Sequence, residues 1–164
     1  MPKQKGFSLI ELLIVVAIIL IIAAIAIPNL LRARMAANEA SAVASIRTIN
    51  TAEITYSSNY PTVGFAASLG VLGGAAPCTP TSTTACLIDS VLSAGAKSGF
   101  NFNEAPGTVA TPQTTYYATA VPITLNQTGT RSFCSFEDAV VRVQPTGAAI
   151  ASEAACQSLL PLNQ

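Results

Sequence analysis

An unbroken apolar run from Leu12 to Ile27, entered through one carboxylate at Glu11, constrains this chain more than any other feature. It stops at Pro28-Asn29 and follows the basic stretch Lys3-Gln4-Lys5 and the junction Gly6-Phe7-Ser8. Counted from Phe7, a helix rising about 1.5 Å per residue is long enough here to cross a hydrocarbon core roughly 30 Å thick. Residues 7–30 are therefore read as a transmembrane helix. A charged carboxylate at the centre of such a span costs about 3 kcal/mol even on the gentlest insertion scale, so a chain that keeps one has a use for it.

Three plainer readings compete. A cleavable secretory signal would use Lys3 and Lys5 as its basic region and Ala24-Ile25-Ala26 as its cleavage box. Glu11, the length of the run and the helical pattern beyond the box argue against it. A simple signal anchor would hold Lys3 and Lys5 in the cytoplasm, which explains topology but neither Glu11 nor the Gly6-Phe7 pair. A buried helix of a soluble domain is rarely so long and so uniformly apolar. Taken together, the basic leader, Gly6, Phe7, Glu11 and the apolar run resemble the type IV prepilin signal. The resemblance implies a leader of residues 1–6, removed by a prepilin peptidase and methylase that cuts between Gly6 and Phe7 and N-methylates Phe7. It also implies that Glu11 engages the positive amino terminus of a neighbouring identical subunit as the helices bundle. Pilins carry a proline where this chain has Pro28, and in their filaments the helix near it can unwind. The chain departs from many of them in having no glycine between Phe7 and Pro28.

Beyond Pro28 the helical signal continues. Arg32 to Ser58 contains neither glycine nor proline, and Met35, Ala42, Ile46, Ile49, Ala52 and Tyr56 recur at three- and four-residue intervals on one face. Asn38, Ser41, Arg47, Asn50 and Thr51 supply much of the other side. One helix of roughly 80 Å from Phe7 to near Tyr60 is expected. Pro28 inside it should kink or locally melt it, since proline lacks the backbone donor and clashes one turn back.

Tyr60-Pro61 closes that helix, and residues 31–164 form the extracytoplasmic domain. A glycine- and proline-rich region follows, with a short apolar patch at Leu69, Val71 and Leu72 and a helical turn within Leu87 to Leu92, near Asp89 and Ser90. Four strands are predicted at Phe100–Phe102, Thr115–Val121, Arg131–Phe136 and Ala139–Val143, with Glu137-Asp138 as a tight hairpin between the last two. The expected fold is α+β: a long helix laid on an antiparallel sheet of about four strands, with a disulfide-bonded C-terminal region.

Four cysteines outside the cytoplasm read as disulfides, and three pairings exist. Cys78 with Cys86 closes a small polar loop. Cys134 with Cys156 ties the sheet to the C-terminal tail, as a loop-fastening disulfide does in many pilins; either crossed pairing is the alternative. A zinc site is disfavoured by the absence of histidine and of close Cys pairs. With no histidine there is no Ser-His-Asp or Cys-His arrangement, and no phosphate-cradling glycine motif occurs. Glu137-Asp138 is a weak calcium candidate, read instead as hairpin residues. No metal, no cofactor and no enzymatic activity are expected. No nucleic-acid footprint is expected either, because past the leader there is no basic patch beyond Arg32, Arg34 and Arg47.

Only 10% of the residues are charged, the net charge is zero and the mean hydropathy is +0.51, which suits a subunit covered by its neighbours. Two roles fit the resemblance. One is a pilus subunit, made in the inner membrane, polymerised through an inner-membrane assembly platform into a surface filament, and serving adhesion, twitching motility or DNA uptake. The other is a pseudopilin of a type II secretion system; a minor pilin is a third possibility. Major pseudopilins commonly carry a calcium loop and lack paired cysteines, so the resemblance favours a pilin.

Overall fold

The computed structural model describes residues 6–162, so residues 1–5 of the expected leader, with Lys3 and Lys5, lie outside the described residues. Helix α1 spans Leu9–Asn59, as the sequence pattern predicts. Helical assignment passes through Pro28 without interruption, so the expected local melting is not present in the single chain. Two compact units divide the chain at Arg34 and Met35, and α1 contributes to both.

In the first unit every described residue is exposed except Ala23, which is half-buried, and Leu9, Ile10, Ile21 and Ile25 are each about two-thirds exposed or more. Among the described residues this is the one segment long and apolar enough to cross a membrane.

The second unit is built on the other half of α1. Ala42, Ile46, Ile49, Ala52 and Tyr56 are all buried, which confirms the predicted stripe, while Met35 is only half-buried. Each fully buried side chain such as Ile46 or Ile49 contributes about 1.5–3 kcal/mol by leaving water. Asn50 departs from expectation: assigned to the polar side, it is buried. The apolar patch after Pro61 is a short helix, α2 (Leu69–Leu72), and the turn after Asp89 is α3 (Ser90–Ser93). Asp89 caps α3 by accepting from the N–H groups of Val91 and Leu92, which satisfies two donors that a helix start leaves unpaired. Gly64, at φ +86°, makes a bridge to Gln113 where any Cβ would run into the Gln113 backbone.

The sheet has six antiparallel strands in sequential order rather than four: β1 (Ala96–Lys97), β2 (Phe100–Pro106), β3 (Tyr116–Pro122), β4 (Ser132–Phe136), β5 (Arg142–Gln144) and β6 (Leu160–Pro161). The two unexpected strands have two residues each, too few for an alternating pattern to register. β5 starts later than predicted because Ala139 takes a left-handed φ of 58°, which ends the extended run after Glu137-Asp138. One sheet face, with Phe100, Phe102, Ala118, Ala120 and Phe133, packs into the same core as α1. The two central alanines are fully buried and leave room for the helix. The opposite face is covered as well. Cys134 and Phe136 pack there with Ile150 and with Cys156 of a short helix, α4 (Glu153–Gln157). All five residues of β4 are consequently buried.

Candidate functional site

The expected site residues fall in two places, the start of α1 and the disulfide-bonded domain. Ser8 precedes the first turn of α1, its carbonyl accepting from Leu12 N–H, and its own N–H donates to Glu11 Oε2 at 3.0 Å. Ser8-Leu9-Ile10-Glu11 has the spacing of a capping box, and the carboxylate here performs the half that reaches back to the cap residue. Sequence reasoning read Glu11 only as an assembly group and missed this local role. The residue is exposed, so its carboxylate remains open to a further partner. Phe7 is 79% exposed and touches no core. Gly6 has open space around the position of an added Cβ, so nothing in the fold calls for glycine there. Pro28 lies exposed within α1 and, lacking an N–H, leaves the carbonyl one turn before it without its helical donor.

Cys78 pairs with Cys86 and Cys134 with Cys156, and no free cysteine remains among the described residues. The first bridge closes the Thr-rich loop, whose Ser82 carbonyl accepts from the Tyr56 hydroxyl at 2.6 Å. The second fastens α4 to β4 across the back of the sheet. Glu137 and Asp138 do not act together: Asp138 is held by Arg142 at 2.7 Å, and no group of acidic or cysteine residues among the described ones has the makings of a metal site. Burial raises the Glu137 carboxyl, with a smaller push from Glu153 and Asp138.

Three polar clusters in the core escaped sequence reasoning. Glu39 of α1 is 6% exposed and takes five donors from one turn of chain: the N–H and hydroxyl of Thr130, and the N–H, Nε and Nη2 of Arg131. Burial works against its charge, but these donors outweigh it and hold the carboxyl below its usual range. Asn50 links α1 to the sheet, accepting from the Tyr116 hydroxyl at 3.1 Å and donating to Ser135 Oγ at 2.9 Å and the Ala139 carbonyl at 3.3 Å. Glu53 and Glu104 meet between α1 and β2. The signal for the two helix acids was available: Glu39 and Glu53 fall at stripe spacing with Ala42, Ile46, Ile49 and Tyr56.

Comparison with known proteins bears on the first of these places. Residues 1–27 match the family model of the prokaryotic N-terminal methylation motif. The chain is 67% identical over 39 residues to the type IV wide pilus major component PilA4 of Thermus thermophilus, a match covering 24% of this chain and 30% of that protein. It is 44% identical over 55 residues to the type IV major pilin protein PilA of Myxococcus xanthus, covering 34% of this chain and 25% of the other. The chain thus spans less than a third of the length of the curated relatives it matches. No solved structure matches it.

Proposed function

We propose that this chain, a type IV pilin by its methylation motif and its pilin relatives, is a structural subunit of a type IV pilus and has no catalytic role. The observation that carries the reading is the exposed apolar face of residues 7–31, interrupted by one carboxylate at Glu11. Water does not tolerate such a surface. Before assembly the hydrocarbon of the inner membrane covers it, and in a filament the same segments of identical subunits cover one another. Cleavage between Gly6 and Phe7 by the prepilin peptidase, followed by methylation of the new amine, prepares the subunit. The conformational freedom of Gly6 from the fold supports its being read by an outside enzyme. Glu11 then pairs with the amine of a neighbour as the assembly platform adds subunits. An unpaired charge in a low-dielectric bundle is expensive, so the pair sets axial register as well as removing that cost. Pro28 supplies the one weak point at which the bundled helix can open. The finished filament stands on the cell surface and serves adhesion, twitching motility or DNA uptake. The two disulfides favour this reading over a pseudopilin of a secretion system.

The test is Glu11→Ala expressed without wild-type subunit. Membrane insertion and cleavage after Gly6 should survive, because the apolar run lengthens and the junction is intact. Sheared filament should fall sharply while processed subunit accumulates in the membrane. Abundant filaments from the variant alone would remove Glu11 from the assembly mechanism.

A further inference from the structure

The domain core holds two carboxyl groups that the pilus reading does not use. Glu53 of α1 is fully buried and Glu104 of β2 is 4% exposed, and their side chains come within hydrogen-bonding reach of each other. Glu53 Oε2 accepts the N–H of Ala66 at 2.9 Å. Its Oε1 and both oxygens of Glu104 find no donor in the protein. Two ionised carboxylates so placed would repel in a medium that screens poorly, and neither could donate to the other. One proton turns that repulsion into an O–H···O bond and supplies the missing donor.

The surroundings offer no other compensation. Asn50 and Tyr56 of α1 and Tyr116 of β3 are neutral, and the Tyr116 hydroxyl is already committed to Asn50. Glu137 and Asp138, beyond the end of β4, add negative charge, and Arg142 of β5 is spent on Asp138. No cation contributes to either carboxyl. We propose that Glu53 and Glu104 share one proton in the folded domain, and that this proton makes the seam between α1 and the sheet sensitive to pH.

Glu104 holds the proton and Glu53 the charge. Burial pushes Glu104 well above the ordinary carboxyl range, and Glu53 beside it adds to the push. Burial raises Glu53 too, but the hydrogen bonds from Glu104 and Ala66 oppose it. With the folded value above the unfolded one, the contribution to stability is complete below the unfolded carboxyl value of about 4.3 and is lost as pH rises through the folded value. Within that window the folded domain holds one more proton than the unfolded chain, so the unfolding constant grows about tenfold per pH unit.

The experiment compares the full-length subunit with Glu104→Gln, both in detergent micelles, by denaturant unfolding across pH. The amide can donate to Glu53 as the protonated acid does, yet it cannot titrate. The difference between the two profiles cancels the opposite trend of Glu39 and Asp89, whose carboxyls are held low and lose their contribution in acid. The wild-type unfolding constant should climb relative to that of the variant by about tenfold per pH unit above the unfolded carboxyl value, then level off. Infrared spectra of the folded wild type at neutral pH should show a protonated-carboxyl C=O stretch, a reading that needs no variant to fold. Glu53→Gln serves as a second non-titrating variant. Parallel unfolding profiles, or no protonated-carboxyl stretch at neutral pH, would overturn the proposal.

Discussion

Glu39 offers the clearest measure of how strongly the domain is tied to its helix. Glu39→Ala strips the acceptor from five donors at once. The N–H and hydroxyl of Thr130 and the N–H of Arg131 are part-buried, and losing the acceptor costs about 1 kcal/mol for each. The guanidinium is different. Its side chain is 45% exposed and also lies over the Phe133 ring at 5.6 Å, so it turns to water and retains a contact, and the ion pair adds less than about 1 kcal/mol. The expected loss is therefore about 3–4 kcal/mol at neutral pH. Glu39→Gln keeps a carbonyl oxygen for the Thr130 donors and gives up only charge assistance and the ion pair, so it should lose about 1–2 kcal/mol. Because the folded carboxyl lies below its unfolded value, the contribution of charge is present above the unfolded value and disappears as pH falls through the folded one. Wild type and Glu39→Gln should then converge in acid. The assay is denaturant unfolding of the full-length subunit in micelles, followed by the near-ultraviolet dichroism of its tyrosines. An Ala variant within about 0.5 kcal/mol of wild type at pH 7 would refute the reasoning, since that is the range of an ordinary surface substitution.

Two further outcomes are expected. Replacing Cys134 and Cys156 by serine should cost more than replacing Cys78 and Cys86, because the closed loops span 22 and 8 residues; chain entropy puts the two at about 3.4 and 2.5 kcal/mol, and thermal unfolding of each pair variant will rank them. Intact-mass analysis of purified filaments should show the loss of Met1 to Gly6 and the gain of one methyl, whereas a mature start at Ile27 would favour the secretory-signal reading.

Much of this architecture is legible in the sequence. The helix from Leu9 to Asn59 follows from uniform apolarity and then from an apolar stripe, two signals that do not depend on distant residues. The middle strands β2, β3 and β4 announce themselves through aromatic and β-branched runs between turn residues. β1, β6 and α4 do not, because each is short and exists through its neighbours: β6 pairs with β5, and α4 is held to β4 by Cys134–Cys156. The polar core was harder to read. Glu39, Asn50, Glu53 and Glu104 look like surface residues by type, and the burial of the first three depends on partners brought by Thr130, Tyr116 and Ala66. Its polar type put Asn50 on the wrong side, although it lies four residues beyond the buried Ile46. At the amino terminus the Glu11 carboxylate is conspicuous in the sequence, but its contact with the Ser8 N–H emerges only from the geometry.

The sequential strand order has a consequence for how the domain is made. In a sheet that runs β1 to β6 without a crossover, each strand finds its partner in the chain already synthesised just before it. Pairings of this kind close short loops and form quickly, and none has to wait for a segment still to come. The exceptions are the last to arrive. Cys78 and Cys86 can join before any strand exists, but Cys156 emerges only after β5, and Cys134 stays unpaired until then. The back of the sheet is therefore uncovered from the emergence of β4 until that of α4, with Cys134 and Phe136 awaiting it. Truncation before Cys156 would leave that face open and one thiol free, a state apt to pair wrongly with another chain.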